Sequence, residues 1–273
     1  MSRIDPTRRN LLIGGSLVGA LTLAGLLPGT CAKRNSMTEN RLPKRPRGQP
    51  KPLLDEDIAP VLARLDAWYA DNLPPDRYVF NPPATEAALD AFERLVGLNL
   101  PRSYRQLYHW HDGENDDRWG HIYGLPLLPL DRAAYQWQAW KRVLADFNGN
   151  RYEIPGGTWP EGAVDPAYIN PRWIPLTHDG SGNHIGLDFD PWPGGRIGQV
   201  ILYGRDEEVK VVLAQSLGGF LEWIAVLLEG GNFRLEARKE ELPLLRLFRL
   251  KSPLANDFHD GARIMLGAPG PFI

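Results

Sequence analysis

The groups of this chain that could do chemistry are six histidines, a scatter of carboxylates, one serine between two glycines and a single cysteine. His109 and His111 stand two apart, so on a helix they leave by different faces and cannot share a metal. His178 and His184 flank a run that reads as a hairpin turn, Asp179-Gly180-Ser181-Gly182-Asn183, which sets the two imidazoles across from one another. Asp179 or Asp188 would then be a third ligand. Structural zinc wants four converging donors, so no metal and no other cofactor is expected. Ser181 lies in Gly-Ser-Gly, not in the Gly-x-Ser-x-Gly elbow, and a hairpin is the wrong context for a serine nucleophile. Cys31 is the one cysteine, which excludes an intramolecular disulfide, a Cys-rich zinc site and an iron–sulfur cluster. No glycine-rich loop opens a helix to cradle phosphate, since Gly194-Gly195 leads from one strand to another.

The carboxylates are more suggestive. Asp112, Glu114, Asp116 and Asp117 crowd one loop beside Trp119, and Asp179 and Asp188 bracket the next hairpin. Two of these acids could serve a glycosidase, making an envelope hydrolase a lesser alternative, yet no spacing marks one pair, so no catalytic residue is assigned. Trp110, Trp119, Trp159 and Trp192 lie in or beside loops, where aromatics anchor interfaces or cover a helix–sheet seam. The expected partner-binding face is therefore Asp112, Glu114, Asp116, Asp117, Trp119, Asp179, Ser181, Asn183, Asp188 and Trp192. An acidic face with buried aromatics suits a basic protein partner.

Charge supports that reading. The 31 Lys+Arg and 33 Asp+Glu of the 273 residues nearly cancel, but they are unevenly placed. Residues 1–51 carry ten basic and two acidic side chains, leaving 21 basic and 31 acidic for 52–273, a net of −10. An acidic domain is a poor fit to nucleic acid.

Helical spacing and caps set the elements that would position these groups. Ile58, Val61, Leu62, Leu65, Trp68 and Tyr69 recur on one helical face that stops before Pro74-Pro75. Thr85 caps a second helix carrying Ala88, Leu89, Phe92, Leu95 and Val96, and Gly97 ends it. Pro101 starts a third with Tyr104, Leu107 and Tyr108 inward, closing at Asp112-Gly113. His121–Leu125 reads as a short strand. Asp131 caps a helix through Asp146, and residues 147–171 are a long Gly/Pro-rich loop. Strands follow at 173–176, 184–190, 199–203 and 209–213, with connections short enough to force an antiparallel meander. Ser216 caps a last helix of Leu217, Phe220, Leu221, Ile224, Leu227 and Leu228. The fold class is α+β, a two-layer design with N-terminal helices and a C-terminal helix packed on one face of the meander. An amphipathic stretch around Leu242, Leu244, Leu245, Leu247 and Phe248 makes 234–273 a docked extension.

This order resembles the SUKH superfamily, which includes the fungal Smi–Knr cell-wall-synthesis regulators and many bacterial immunity proteins. The resemblance rests on Gly97-Leu98-Asn99-Leu100-Pro101-Arg102-Ser103-Tyr104-Arg105-Gln106-Leu107 with Asp112-Gly113, and on Trp173-Ile174-Pro175-Leu176 with Asp179–Asn183 and Leu187-Asp188. Ala214-Gln215-Ser216-Leu217 with Phe220-Leu221 completes it, over residues 85–230. The domain would span 53–233, with an insertion at 131–171 that the superfamily pattern lacks. The resemblance implies a non-catalytic protein-binding domain of the immunity or antitoxin type facing a toxin or envelope protein. The alternative is a cell-wall-associated regulator or a glycan-binding module with sugars stacked on the loop tryptophans.

The N-terminus reads as an address. Thr7-Arg8-Arg9-Asn10-Leu11-Leu12 resembles a twin-arginine export signal, an apolar run follows to Leu27, and Pro28-Gly29 breaks it. Residues 1–32 are expected to be this signal, which places the protein in the periplasm or otherwise outside the cytoplasm; a start at Met37 would leave it cytoplasmic. Residues 33–52 form a basic, Pro-rich linker, expected to be disordered and able to rest on anionic lipid at about 1 kcal/mol per basic side chain. Mass spectrometry of the mature protein checks the signal: export predicts a new N-terminus near Ala32, and an intact chain or one starting at Met37 removes the reading.

Overall fold

The computed structural model describes residues 44–75, 79–115, 120–146, 157–237 and 246–270. The local signals place the helices. α1 (Ala59–Asn72) has a proline in its first turn, where no hydrogen bond is lost, and buries Val61, Leu62, Leu65 and Tyr69. α2 (Glu86–Val96) starts at Thr85, whose side-chain oxygen accepts from the Ala88 N–H, and stops at Gly97, which adopts φ +68°. α3 (Arg102–Trp110) follows Pro101 and turns Tyr104, Leu107 and Tyr108 inward. α4 (Leu130–Asp146) is capped from a distance: Asp112 Oδ1, not Asp131, accepts from the Leu130 N–H at 2.8 Å. α5 (Leu217–Glu229) begins at Ser216, whose hydroxyl accepts from the Gly219 N–H and donates to Glu56 at 2.6 Å. That bond ties the start of α5 to the segment before α1.

The meander is present as β2 (Trp173–Pro175), β3 (Asn183–Asp188), β4 (Gln199–Gly204) and β5 (Lys210–Ala214), each antiparallel to the next. A short β1 (Thr158–Trp159) from the long loop joins β5 in parallel, so the sheet is mixed, in the order β1-β5-β4-β3-β2. The strand expected at His121–Leu125 is instead a tight turn. Ile122 bridges only to Leu125, and Tyr123 takes φ +51°.

Alternation along the strands divides the sheet into two faces. Ile174, Ile185, Leu187, Val200, Leu202, Val211 and Leu213 join α1, α2, α3 and α5 in the main core. The opposite face carries Trp173, His184, Asp188, Gln199, Tyr203 and Lys210, all buried. The two-layer expectation left this face open. Residues 163–170 of the long loop and Trp140 of α4 cover it, whereas Leu130, Ala133 and Trp137 of α4 belong to the main core; Ala163 and Val164 pack with Trp173, Ile201, Tyr203 and Val212 in a second core.

The linker expectation changes for residues 44–52. Lys51 N–H donates to Gly195 O at 2.9 Å, Ile197 N–H donates to Lys51 O at 3.0 Å, and Arg45 pairs with Asp190 at 2.7 Å. The prolines that forbid a helix leave this strand-like path open. Residues 1–43 lie outside the described residues, and with them the signal and the rest of the linker.

The described part of the C-terminal extension packs through Phe248 and Phe258. β6 (Arg234–Ala237) and β7 (Arg246–Arg249) pair antiparallel, and α6 (Phe258–Leu266) follows, capped by Asp257. Leu242, Leu244 and Leu245 of the amphipathic stretch fall outside the described residues. Tyr123 is stacked between Phe248 and Phe258, with ring centroids 5.0 and 5.2 Å away. Arg263, 2% exposed, pairs with buried Glu207 and donates to Val209 O at 2.9 Å. Burial would raise the Glu207 carboxyl, but His259 and Arg263 hold it below its ordinary value. Phe258→Ala removes an aromatic that is 1% exposed and should cost about 3–5 kcal/mol in urea unfolding. A cost below about 1 kcal/mol would show that α6 lies outside the cooperative core.

Candidate functional site

An open cleft of about 360 Å³ lies between α4 and the β2–β3 turn, within the roughly 300–1,000 Å³ range of ligand sites. Arg132, Tyr135 and Gln136, at i, i+3 and i+4, form the α4 wall. His178, Asp179 and Gly180 form the opposite wall, and Leu125, Pro126 and Leu128 the floor. Tyr135 is 58% exposed. The Arg142 guanidinium lies 5.9 Å from its ring centroid, a cation–π distance.

Both walls are fixed from below. Trp137 Nε1–H donates to Pro171 O at 2.8 Å, and Trp140 Nε1–H donates to His184 Nε2 at 3.0 Å. The other ring nitrogen of His184 lies 2.8 Å from Thr177 O, which can only accept, so Nδ1 carries the hydrogen. The neutral imidazole thus has both nitrogens engaged, and burial pulls its pKa down to about 4. On the opposite wall, Asp179 Oδ1 accepts from the N–H groups of Ser181, Gly182 and Asn183 at 2.7, 3.0 and 2.9 Å. Asn183 Nδ2 donates to Asp179 Oδ2 at 2.7 Å. Burial would raise the Asp179 carboxyl, yet these bonds hold it below its usual range.

The residues expected to face a partner are placed differently from one another. Asp112 is half-buried as the α4 cap, and burial raises its carboxyl. Glu114, 2% exposed, accepts from Leu127 N–H at 2.8 Å and lies 2.9 Å from His121 Nδ1. Asp188 is fully buried: Trp173 Nε1, Asp190 N and Gln199 Nε2 donate to it at 3.1, 2.9 and 3.0 Å. Burial pushes its carboxyl up to about 7 against those donors. Trp192 is buried, and Asn183 holds both Asp179 and the Asp206 backbone. Ser181 is exposed at the turn. Asp116, Asp117 and Trp119 lie outside the described residues. Glu114, Asp188 and Trp192 are thus interior groups that offer a partner no surface, because backbone amides and a buried indole claim the two acids.

The imidazoles of His178 and His184 do lie across from one another, with ring centroids 5.1 Å apart. No group of three or more potential metal ligands converges among the described residues. Of the cleft, sequence reasoning singled out Asp179 alone as a partner-facing group. Tyr135 falls off the buried Leu130, Ala133 and Trp137 stripe of α4, and that offset is the signal that marks it.

Chain residues 83–223 match the family model of the SMI1/KNR4 family (SUKH-1). The chain is 30% identical over 203 residues to the cell wall assembly regulator SMI1 of Saccharomyces cerevisiae, covering 63% of this chain and 40% of that protein. It is 31% identical over 236 residues to the cell wall biosynthesis/cell cycle regulator smi1 of Schizosaccharomyces pombe, covering 81% and 46%. A glucan synthesis regulatory protein of Neurospora crassa is 29% identical over 219 residues, covering 68% and 41%. The chain spans less than half the length of these curated relatives.

Two buried groups generate a pH prediction of opposite signs. His184 has its pKa lowered on folding, so its contribution is present above about pH 6.5 and is lost as pH falls toward 4. Asp188 has its pKa raised, so its contribution is present below about pH 3.8 and is lost as pH rises toward 7. Asp188→Asn should therefore cost more stability at pH 4.5 than at pH 7.5, and His184→Asn less. Each difference should be on the order of 1–3 kcal/mol in urea melts of variant against parent. Costs that do not change with pH would mean that these groups titrate normally. Segments 85–110, 173–188 and 214–221 and the match over 83–223 lead to one assignment: the chain belongs to the SMI1/KNR4 family (SUKH-1).

Proposed function

We propose that the chain is a non-catalytic protein-binding domain that regulates cell-wall assembly, and that its partner docks in the cleft between α4 and the His178–Gly180 turn. The observation that carries this is the cleft itself: walls fixed by hydrogen bonds, and a large aromatic, Tyr135, left exposed at the rim. Preset walls and an exposed aromatic are features of protein-binding surfaces. The relatives are named as regulators of wall assembly or glucan synthesis, which favours the wall-regulator reading over the immunity type that the resemblance first implied. Sugar stacking on the loop tryptophans draws less support. Trp192 is buried and Trp110 packs against Phe80 at 4.8 Å, which leaves Trp159, 38% exposed, among the described ones.

Expression in a Saccharomyces cerevisiae strain lacking its SMI1 relative tests the reading, with growth on a wall-binding dye as the measurement. Partial recovery of growth is expected from the parent chain. Growth no better than the empty-vector strain, with the chain present at comparable levels, would overturn it.

A further inference from the structure

One end of the cleft floor is held by a part of the chain that does not line it. Gly124 and Leu125 form that end, and they belong to the Gly120–Leu125 turn. Gly124 N–H donates to Gly120 O at 2.9 Å, and Ile122 and Leu125 exchange N–H bonds at 3.2 and 3.0 Å. Within this turn Tyr123 takes φ +51°, the one positive φ outside glycine among the described residues. A bulky side chain stays in that region only where its surroundings hold it.

Those surroundings come from beyond residue 223, where the family match ends. The rings of Phe248 and Phe258 flank Tyr123 at 16° and 2° to its plane, and Tyr123 Oη–H donates to Asn232 O at 3.0 Å. A Cβ on Gly124 would stand 3.0 Å from Phe248 O, so β7 lies directly against the turn. Phe258 opens α6, and α6 is fastened away from the cleft: Arg263 pairs with Glu207 and reaches Val209 O, just before β5. The other end of the floor has its own support. Leu127 N–H donates to Glu114 Oε1, and Leu128 N–H to Leu176 O, each at 2.8 Å.

We propose that α6 is a latch on the cleft: seated through Arg263, it holds the Tyr123 stack and with it the Gly124–Leu125 end of the floor, and its release frees that end. The proposal rests on the protein-binding reading and adds how the site is regulated. A partner that displaced Arg263 from Glu207 would change binding in the cleft without entering it. Two states of α6 that differ in the floor they offer are what such control requires.

The test is residue-resolved hydrogen exchange of the full chain at a series of low urea concentrations, for the parent, Arg263→Ala and Phe258→Leu. The Ile122, Gly124 and Leu125 amides should open together with those of α6, in one step smaller than the unfolding that exposes β3 and β4. In both variants the protection of the turn and of α6 should fall together, at least about tenfold, with Leu128 staying more protected than the turn. Leu254→Ser, at an exposed position before α6, should leave both sets as in the parent. Phe258→Leu keeps an apolar side chain in place, so the stack is removed even if Arg263→Ala unfolds more than α6. The proposal is overturned by a turn that keeps its protection while α6 loses it, by a turn and α6 that open only with β3 and β4, or by protection unchanged in both variants. The growth assay separates the two readings. A parent chain that restores growth, with an Arg263→Ala chain at equal levels that restores it equally, defeats the latch alone. A parent chain that fails defeats the wall-regulator reading and leaves the exchange result to decide the latch.

Discussion

Covering both faces of the β2–β5 meander obliges every polar group on the second face to find its partner inside the protein. An unpaired buried carboxylate or amide costs more than a hydrogen bond gains, so such a layer is stable only when closed on itself. Asp188 is its centre. It receives Trp173 from the neighbouring strand, Gln199 from β4 and the backbone of Asp190, and Gln199 donates in turn to Ala163 O in the covering loop at 3.0 Å. Asn170 bridges Asp165 and Asp190 at 3.0 Å each, and Arg45 closes the chain of contacts from the N-terminal side. The long loop and the segment before α1 are thus held to the sheet by one polar network. Lys210 and Tyr203 mark its limit: the Lys210 ammonium and the Tyr203 hydroxyl are buried without a hydrogen-bond partner, and burial draws the Lys210 pKa down to about 7.

A separate set of hydrogen bonds decides what reaches the surface. α4 is fixed to the sheet through Trp140 and His184, and its first turn is held by Asp112. The β2–β3 turn is held by Asp179. Asp112, Glu114, Asp179 and Asp188, which look like part of a docking face when read along the chain, are therefore internal fasteners. Their fixed positions keep the Arg132–Gln136 wall and the His178–Gly180 wall apart at a set width. A site of that kind loses little conformational freedom when a segment enters, which is where its affinity would originate.

What could be read from the sequence follows the range of the interaction. Thr85, Gly97, Pro101 and Ser216 act within four residues of themselves, so α2, α3 and α5 were legible with their ends. The meander was legible because its turns are short. Asp112 as the cap of Leu130 was not, since the cap comes from 18 residues away and competes with a local candidate, Asp131. Period-two alternation already set His184 and Asp188 opposite Ile185 and Leu187. What the alternation could not supply was the cover. A polar strand face normally meets water, and only the placement of residues 163–170 turns it into an interior. The cleft joins residues 124–136 to residues 178–180, which are remote in sequence, so no spacing along the chain could announce it.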